Sequence, residues 1–268
     1  YVIFACVSIN LLLSFDQYIY AIITKVSTLR ISNLKFSSIQ LGHLSAVLVI
    51  LSCFKIDAPI AKIGLLDKVS MLIGLIGIIL ANSKAPILAI IVVFVVYLYS
   101  KNRSIIKFLW GLMLFSIMLF LIYLLAREIF LVDVLSRFLS VLNESEVSTT
   151  SRITFIGEGM DLFLNNPVVG SKSVTSSGGY PHNLIIEVIM STGIVGLVLI
   201  LKPIFKLKNV FKELTYGTTS LGLIYLVTIE YFIAFQTSFS IYQATPLFIL
   251  LFIVGRTKSM KNENPNII

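Results

Sequence analysis

A chain of 268 residues in which 57% are hydrophobic and only 13% are charged, with a mean hydropathy of +0.97, is too apolar for an average soluble domain. Its formal net charge of +8 comes from short clusters of lysine and arginine between apolar runs, and not from one continuous basic surface. Such clusters are typical of topology signals in membrane proteins, and they argue against a nucleic-acid partner. We therefore predict a polytopic integral membrane protein.

The apolar runs divide the chain into about eight spans, since a membrane helix needs about 20 apolar residues to cross a hydrocarbon core of roughly 30 Å. The runs are apolar throughout and do not alternate, which favours an all-α fold over a β-barrel. They lie near Tyr1–Ser14, Ile39–Phe54, Val69–Ala81, Pro86–Ser100, Phe108–Ala126, His182–Leu201, Thr218–Phe235 and Ala244–Gly255. We expect a single membrane domain over residues 1–268. The start at Tyr1, within an apolar run and without a methionine, suggests that further helices precede it.

The basic clusters predict the orientation, because lysine and arginine are retained on the cytoplasmic side. Four clusters fall on one face when the spans alternate: Lys55, Lys62 and Lys68; Lys101, Arg103 and Lys107; Lys202, Lys206, Lys208 and Lys212; Arg256, Lys258 and Lys261. With these clusters in the cytoplasm, the hairpin at 82–85, the segment at 127–181 and the turn at 236–243 face outside. The segment at 127–181 is then one large extracytoplasmic loop.

Several cations fall on the outer side in spite of this rule, among them Arg30, Lys84 and Arg152. Acidic neighbours in the long loop balance some of these charges, which is the simpler explanation. The other explanation is an anionic ligand at the outer surface of the membrane. A phosphate suits that position, because the planar fork of arginine binds phosphate oxygens in pairs.

Two helices are predicted within the outer loop. Residues 128–142 carry an apolar stripe at helical spacing, which indicates an interfacial helix. A second helix is predicted from Arg152 to Asn165, with Ser151 as its N-cap. A cation in the first turn opposes the helix dipole, and free backbone N–H groups there bind anions, so Arg152 is a candidate contact for a diphosphate. A solvated surface arginine is the alternative.

The Gly- and Ser-rich segment Gly170–Pro181 is predicted to be a mobile flap that leads into a spanning helix opened by His182 and Asn183. The positive end of the helix dipole disfavours imidazolium, so His182 is predicted to be neutral and able to accept a proton from a hydroxyl group. A histidine that only anchors the helix at the interface is the alternative. Glu187, one turn further on, is predicted to orient the polar end of this helix or to bond to a neighbouring span.

These motifs together resemble the O-antigen ligase and repeat-unit polymerase family of bacterial surface polysaccharide assembly. The residues that carry the resemblance are Arg152, the Asn-Pro-Val-Val-Gly turn at 166–170, the pair His182 and Asn183, and the Gly-Ile-Val-Gly-Leu run at 193–197. An earlier family element, usually serine-arginine-glycine at the outer end of a hairpin, corresponds to residues 83–85, where Lys84 replaces the family arginine. Lysine keeps the charge but lacks the bidentate fork.

The resemblance implies a GT-C-like glycosyltransferase of the bacterial inner membrane that needs no metal ion or other cofactor and acts on the extracytoplasmic face. It would transfer or polymerise an oligosaccharide from a polyprenyl-diphosphate carrier onto a sugar hydroxyl of a glycan or lipid-core acceptor, as in O-antigen, capsule or exopolysaccharide synthesis. In this scheme His182 is the catalytic base. The implied substrate-binding residues are Arg152, Lys84, Arg30, Asn183 and Glu187.

A transporter or flippase of lipid-linked sugars is the alternative from another functional class. Glu230 favours it, because a carboxylate within a membrane span is a functional candidate. The sequence shows no internal repeat and no paired broken helices of the kind that transporters use, which argues against it. Two glycine pairs, Gly74–Gly77 and Gly193–Gly196, are predicted to be helix-packing sites.

Overall fold

The computed structural model describes residues 2–14, 17, 19–20, 23, 37–56, 64–102, 104–130, 147–216 and 220–263. Over these residues the chain is all-helical. Its α-helices are α1 (Val2–Leu13), α2 (Ser38–Ile56), α3 (Leu65–Ala81), α4 (Lys84–Lys101), α5 (Ile105–Phe130), α6 (Val147–Asn165), α7 (Leu184–Tyr216), α8 (Ser220–Thr237) and α9 (Thr245–Glu263), and a short 3-10 helix, η1, spans Ile241–Gln243. Arg30 and most of the predicted interfacial helix at 128–142 lie outside the described residues.

Every predicted span coincides with a helix, and α6 is the additional helix of the predicted outer loop. Among the described residues, three helices are long and apolar enough to cross a membrane, at Lys84–Lys101, Ile105–Leu124 and Leu184–Leu207. Shorter apolar helices lie at Val2–Leu13, Ser38–Cys53, Leu221–Thr237 and Thr245–Val254. The protein is therefore a multi-pass membrane protein. A total of eight spans and the single-domain organisation stay predictions.

Residues Tyr1–Leu139 form a first compact unit, in which α2 and α3 pack closely. A Cβ atom on Gly74 would lie 2.7 Å from Val49 Cγ2, and one on Gly77 would collide with Ser45. Glycine at these two positions therefore allows the helices to approach, and the predicted packing site at Gly74–Gly77 is confirmed. Two apolar clusters complete this unit: Val7, Leu41, Leu48 and Leu80, and Ala46, Val49, Ile78 and Ile90.

A tight turn joins α3 to α4 in this unit, as the predicted hairpin requires. The C-cap residue Asn82 has a left-handed conformation with φ of 43°, and its N–H group donates to the carbonyl of Ile79 at 3.0 Å. Ser83 is extended, and Lys84 is the first residue of α4. The cation therefore lies at the positive end of the α4 dipole, where stability alone favours an acidic residue.

Residues Ser140–Ile268 form a second compact unit, which contains α6 to α9. Its apolar core joins α7, α8 and α9 through Leu184, Val188, Ile200, Phe235, Ala244, Leu247 and Leu251. The helix α7 is broken at Gly193, which has φ of 63° and ψ of −157°, a conformation open in practice only to glycine. A helix break within a span leaves backbone N–H and C=O groups without their helical partners. Such a break is tolerated only where other polar groups supply the missing hydrogen bonds.

The turn at 166–170 supplies those partners. The N–H groups of Ile194 and Val195 donate to the carbonyls of Pro167 and Val168 at 2.9 and 3.3 Å, and Ser171 N–H donates to the carbonyl of Met190 at 2.8 Å. The Asn-Pro-Val-Val-Gly turn and the glycine-rich run are therefore two halves of one backbone contact. The sequence prediction of a helix-packing site at Gly193–Gly196 is wrong for Gly193. The helix breaks at this glycine, and the backbone there contacts the turn at 166–170.

Helix α6 begins earlier than the sequence predicts. It starts at Val147, so Ser151 lies inside the helix and Arg152 lies in its second turn. The run of serine and threonine before Arg152 indicates a cap, but within a helix a hydroxyl group can bond to the preceding turn, as Thr154 Oγ1 does when it donates to the carbonyl of Thr150 at 3.1 Å. The prediction that Arg152 sits among the free N–H groups of a helix start is therefore wrong.

We expect Gly193→Ala to destabilise the second unit, because a Cβ atom there would collide with the carbonyl of Val168. The strained conformation alone costs about 1–3 kcal/mol. Thermal unfolding should move to a lower temperature, and the amides of Ile194 and Val195 should lose protection from hydrogen exchange. Gly157→Ala is the matched control, since a Cβ atom at this helical glycine meets nothing within 4 Å. Equal stability and equal protection in the two variants would contradict the role assigned to Gly193.

Candidate functional site

Three backbone carbonyls at the C-terminal end of α8, those of residues 236–238, organise the polar groups of the second unit; we call them the α8 end. The last carbonyls of a helix have no partner within it. Here each accepts from a side chain of another element: Gln236 from Asn183 Nδ2 at 3.3 Å, Thr237 from Arg152 Nη1 at 2.8 Å, and Ser238 from His182 Nδ1 at 2.8 Å. Three of the predicted site residues therefore converge on one helix end.

His182 lies just before α7 and not in its first turn as predicted. It has a left-handed backbone conformation with φ of 55°, which is uncommon for a residue with a side chain. Asn183 caps the helix instead, because its Oδ1 atom accepts from the N–H group of Ile186 at 3.1 Å. Strained backbone of this kind concentrates at functional sites. This backbone conformation allows the ring of His182 to reach the α8 end, while α7 begins at Leu184 with a regular cap.

The hydrogen bond to Ser238 determines which nitrogen of His182 carries a proton. A carbonyl oxygen only accepts, so Nδ1 must donate, and in a neutral imidazole the other nitrogen, Nε2, then carries the lone pair. Among the described residues Nε2 has no hydrogen-bond partner. The ring is therefore held as a base whose accepting atom is available to a ligand.

Burial lowers the pKa of His182 below that of a free histidine. The hydrogen bond to the Ser238 carbonyl acts in the opposite direction, and the positive charge of Arg152 adds to the lowering. This direction agrees with the neutral state that the sequence predicts, but its cause is different. Desolvation and a neighbouring cation oppose imidazolium here, in place of the dipole of a helix that His182 does not join.

Arg152 is stabilised by the helix end that it contacts. The C-terminal end of a helix carries a partial negative charge, and a cation beside it is favourable. The Nη1 atom of Arg152 donates to the carbonyl of Thr237 at this end. Because the charge of Arg152 affects the pKa of His182, the two groups belong to one electrostatic site.

Glu187 is completely buried beneath this site. Its Oε2 atom accepts from Ser240 Oγ at 2.8 Å and from the N–H group of Ile241 at 2.7 Å. Both donors follow the α8 end closely in the chain, so Glu187 holds η1 and the segment that carries the Ser238 carbonyl. These contacts are structural. Its predicted role in substrate binding stays a prediction, as do the roles of Arg152 and Asn183.

The loop at 171–181 is tied to the rest of the unit at two points. Ser177 donates to Glu158 Oε2 through its hydroxyl group at 2.8 Å and its N–H group at 3.2 Å, and Tyr242 Oη donates to Ser173 Oγ at 2.5 Å. The hydrogen bonds from Ser177 also lower the pKa of Glu158. The segment is therefore anchored on both α6 and η1, and its predicted movement as a flap stays a prediction.

The α8 end cannot be recognised in the sequence, because every residue type has a backbone carbonyl. Sequence analysis also overlooks Tyr180, whose ring lies 4.3 Å from that of His182 between centroids. Of the remaining predicted site residues, Lys84 belongs to the first unit, and Arg30 lies outside the described residues.

These features define a multi-pass membrane protein with a histidine and an arginine held at one helix end. The sequence model of a known family, described as O-Antigen ligase, matches residues 69–201. The matched range includes Lys84, Arg152 and His182. No curated protein and no solved structure is significantly similar to the chain. The match supports the assignment of the chain to the O-antigen ligase family, which the sequence motifs predict.

We expect Glu187→Gln to fold and to be destabilised less than Glu187→Leu, because its amide oxygen can accept both hydrogen bonds that Oε2 now accepts. Only its NH₂ group is left without a partner, at the position where Oε1 has none among the described residues. Glu187→Leu should destabilise the second unit, since each donor left buried without a partner costs about 1–3 kcal/mol. Thermal unfolding of both purified variants measures the difference. A Gln variant as unstable as the Leu variant would show that the negative charge itself is required, and would contradict the structural role.

We also expect the imidazole of His182 to titrate below pH 6.5, the usual region for free histidine, because burial and Arg152 disfavour its charged form. The chain contains two histidines, so NMR signals from His182 can be assigned by their loss in His182→Ala. The unfolded chain takes up this proton more readily than the folded chain. Stability should therefore fall as the pH drops from about 6.5 towards the lower pKa of His182 in the folded protein. A midpoint at or above 6.5 would contradict the predicted direction.

Proposed function

We propose that the chain is a glycosyltransferase that joins a glycan from a polyprenyl-diphosphate carrier to a sugar hydroxyl of an acceptor, without a metal ion, at the extracytoplasmic face of the bacterial inner membrane. The observation that carries the proposal is the pairing of His182, with Nε2 available, and Arg152 on one helix end. The family match supports an enzyme of glycan ligation or polymerisation. The donor, the side of the membrane and a GT-C-like fold are part of the proposal.

His182 acts as the general base in this scheme. The acceptor hydroxyl donates its proton to Nε2, and its oxygen forms a bond to the anomeric carbon of the donor glycan. The bond between that carbon and the diphosphate oxygen breaks, and its electron pair leaves with the diphosphate. A well-placed general base contributes about 10²- to 10⁴-fold to the rate. The lowered pKa of His182 keeps the base unprotonated at neutral pH.

Arg152 stabilises the departing diphosphate. Its guanidinium remains charged at all relevant pH values and is anchored at Thr237, so its position is set before the negative charge develops. Lys84 is proposed as a second phosphate contact. It is the first residue of α4, and the N–H groups at a helix start bind anions, so its positive charge adds to an anion-binding position. Asn183, Glu187 and Arg30 complete the proposed set of substrate-binding residues.

The test supplies a lipid-diphosphate glycan and an acceptor glycan to the purified protein in liposomes and measures joined product. We expect His182→Ala and Arg152→Ala to lower product formation by about 10²-fold or more, as loss of a general base or of a charge stabiliser does. Lys172→Ala is the matched control for a lost cation in the same loop, since Lys172 is exposed. Variants that insert normally and form as much product as the unsubstituted chain would refute the roles of His182 and Arg152.

Lys84→Arg is a conservative substitution that tests the role of Lys84. Arginine restores a bidentate fork at the same charge, so product formation should be preserved or raised if this side chain binds phosphate. Lys84→Gln, which keeps the length and removes the charge, should lower it by about tenfold. A clear loss in the arginine variant, or none in the glutamine variant, would remove Lys84 from the proposed site.

A flippase of lipid-linked sugars is the second candidate. The break in α7 at Gly193 favours it, because transporters bind their substrates at discontinuous helices, and Glu230 is completely buried within α8. The liposome test separates the two functions when a labelled carrier is enclosed on one side. Translocation of the label without glycan joining would establish the flippase and reject the transferase.

A further inference from the structure

The aromatic ring of Tyr180 lies directly against the imidazole of His182. The two ring centroids are 4.3 Å apart, and the ring planes meet at 51°. Aromatic rings at this distance attract each other through their quadrupoles and restrict each other's rotation by contact. Tyr180 itself is half-buried. It is separate from the motifs that identify the family, and the proposed mechanism assigns it no role.

The turn that precedes Tyr180 packs on α6. Residues 175–179 form a closed turn, in which Thr175 N–H donates to the carbonyl of Gly179 at 2.9 Å, and Ser177 in this turn is bonded to Glu158. Gly179 lies against the ring of Phe155, so closely that a Cβ atom there would collide with it. Phe155 follows Arg152 by about one helical turn, so one face of α6 carries both the arginine and the contact with the residue before Tyr180.

A single hydrogen bond does not fully orient an imidazole. The bond to Ser238 fixes Nδ1, but it leaves the ring plane free to tilt about that bond, because the terminal torsion of histidine is broad. A second contact on the ring removes that freedom. The consequence for catalysis is large, since a misplacement of about 1 Å can cost about 10²-fold in rate.

We propose that Tyr180 is a positioning residue, whose ring holds the imidazole plane of His182 while Ser238 holds Nδ1, so that Nε2 points at the acceptor hydroxyl. The part of this proposal that concerns the acceptor rests on the proposed function. The part that concerns the ring geometry does not. The aromatic ring, and not the phenolic hydroxyl, carries the effect.

The kinetic test compares Tyr180→Phe with Tyr180→Leu in the glycan-joining assay. We expect the leucine variant to lower kcat by about 10- to 100-fold while the KM for the donor changes by less than about twofold, because orientation is lost and binding is kept. The phenylalanine variant should restore kcat to within about threefold, since it keeps the ring. Phe205→Leu, which removes an exposed aromatic ring from α7, is the matched control.

A second measurement does not depend on the reaction. The chain has two histidines, so ¹⁵N-histidine NMR resolves the ring nitrogens of His182. In Tyr180→Leu the imidazole should move over a wider range of angles, so the ¹⁵N–¹H dipolar order parameter of the Nδ1–H bond should fall, and Tyr180→Phe should retain it. If the leucine variant does not fold, Tyr180→Met replaces it.

The outcomes are distinguishable. An unchanged order parameter in the variant without an aromatic ring, or a loss of kcat of tenfold or more in Tyr180→Phe, would overturn the positioning role. If the unsubstituted chain joins no glycan while the order parameter falls in Tyr180→Leu, the proposed function fails and the positioning role of Tyr180 stands.

Discussion

Three backbone carbonyls at the end of α8 set the arrangement on which the rest of the second unit depends. They accept from Asn183, Arg152 and His182, which belong to the start of α7, to α6 and to the loop between them. A helix end supplies these acceptors whatever its sequence, and its partial negative charge suits the arginine. For His182 the same contact selects the tautomer, so one structural feature determines both the position and the chemistry of the base.

The surroundings of the α8 end keep it in place from two directions. Beneath it, the buried carboxylate of Glu187 holds Ser240 and Ile241, which follow the carbonyls in the chain. On the other side, α6 continues into the turn at 166–170, whose carbonyls complete the hydrogen bonds left open by the break at Gly193. Because Arg152 lies on α6 and His182 precedes α7, this backbone contact fixes the two elements that carry them. The strained backbone conformations at His182 and Gly193 both occur in the segments that position this site.

Apolar runs and motif spacing predict much of this fold and the identity of the central residues. Long apolar segments force helices, and Gly74 and Gly77 have the spacing of a close helix contact, so both features follow from residue type alone. The start of α6 is mispredicted because serine and threonine resemble caps even where they bond within a helix. Gly193 is misassigned because a packing glycine and a helix-breaking glycine look alike until the partner is known. The contacts of Arg152 and His182 are invisible beforehand, since they are made to carbonyls 85 and 56 residues away.

The most direct test of the α8 end is the bond between His182 and Ser238. Labelling histidine with ¹⁵N and the serine carbonyls with ¹³C, in membranes at neutral pH, allows solid-state NMR to detect a dipolar coupling from Nδ1 of His182, identified by its loss in His182→Ala. We expect Nδ1 to be protonated and coupled to a serine carbonyl, with Nε2 unprotonated. A protonated Nε2, or no coupling that disappears with His182, would contradict the arrangement.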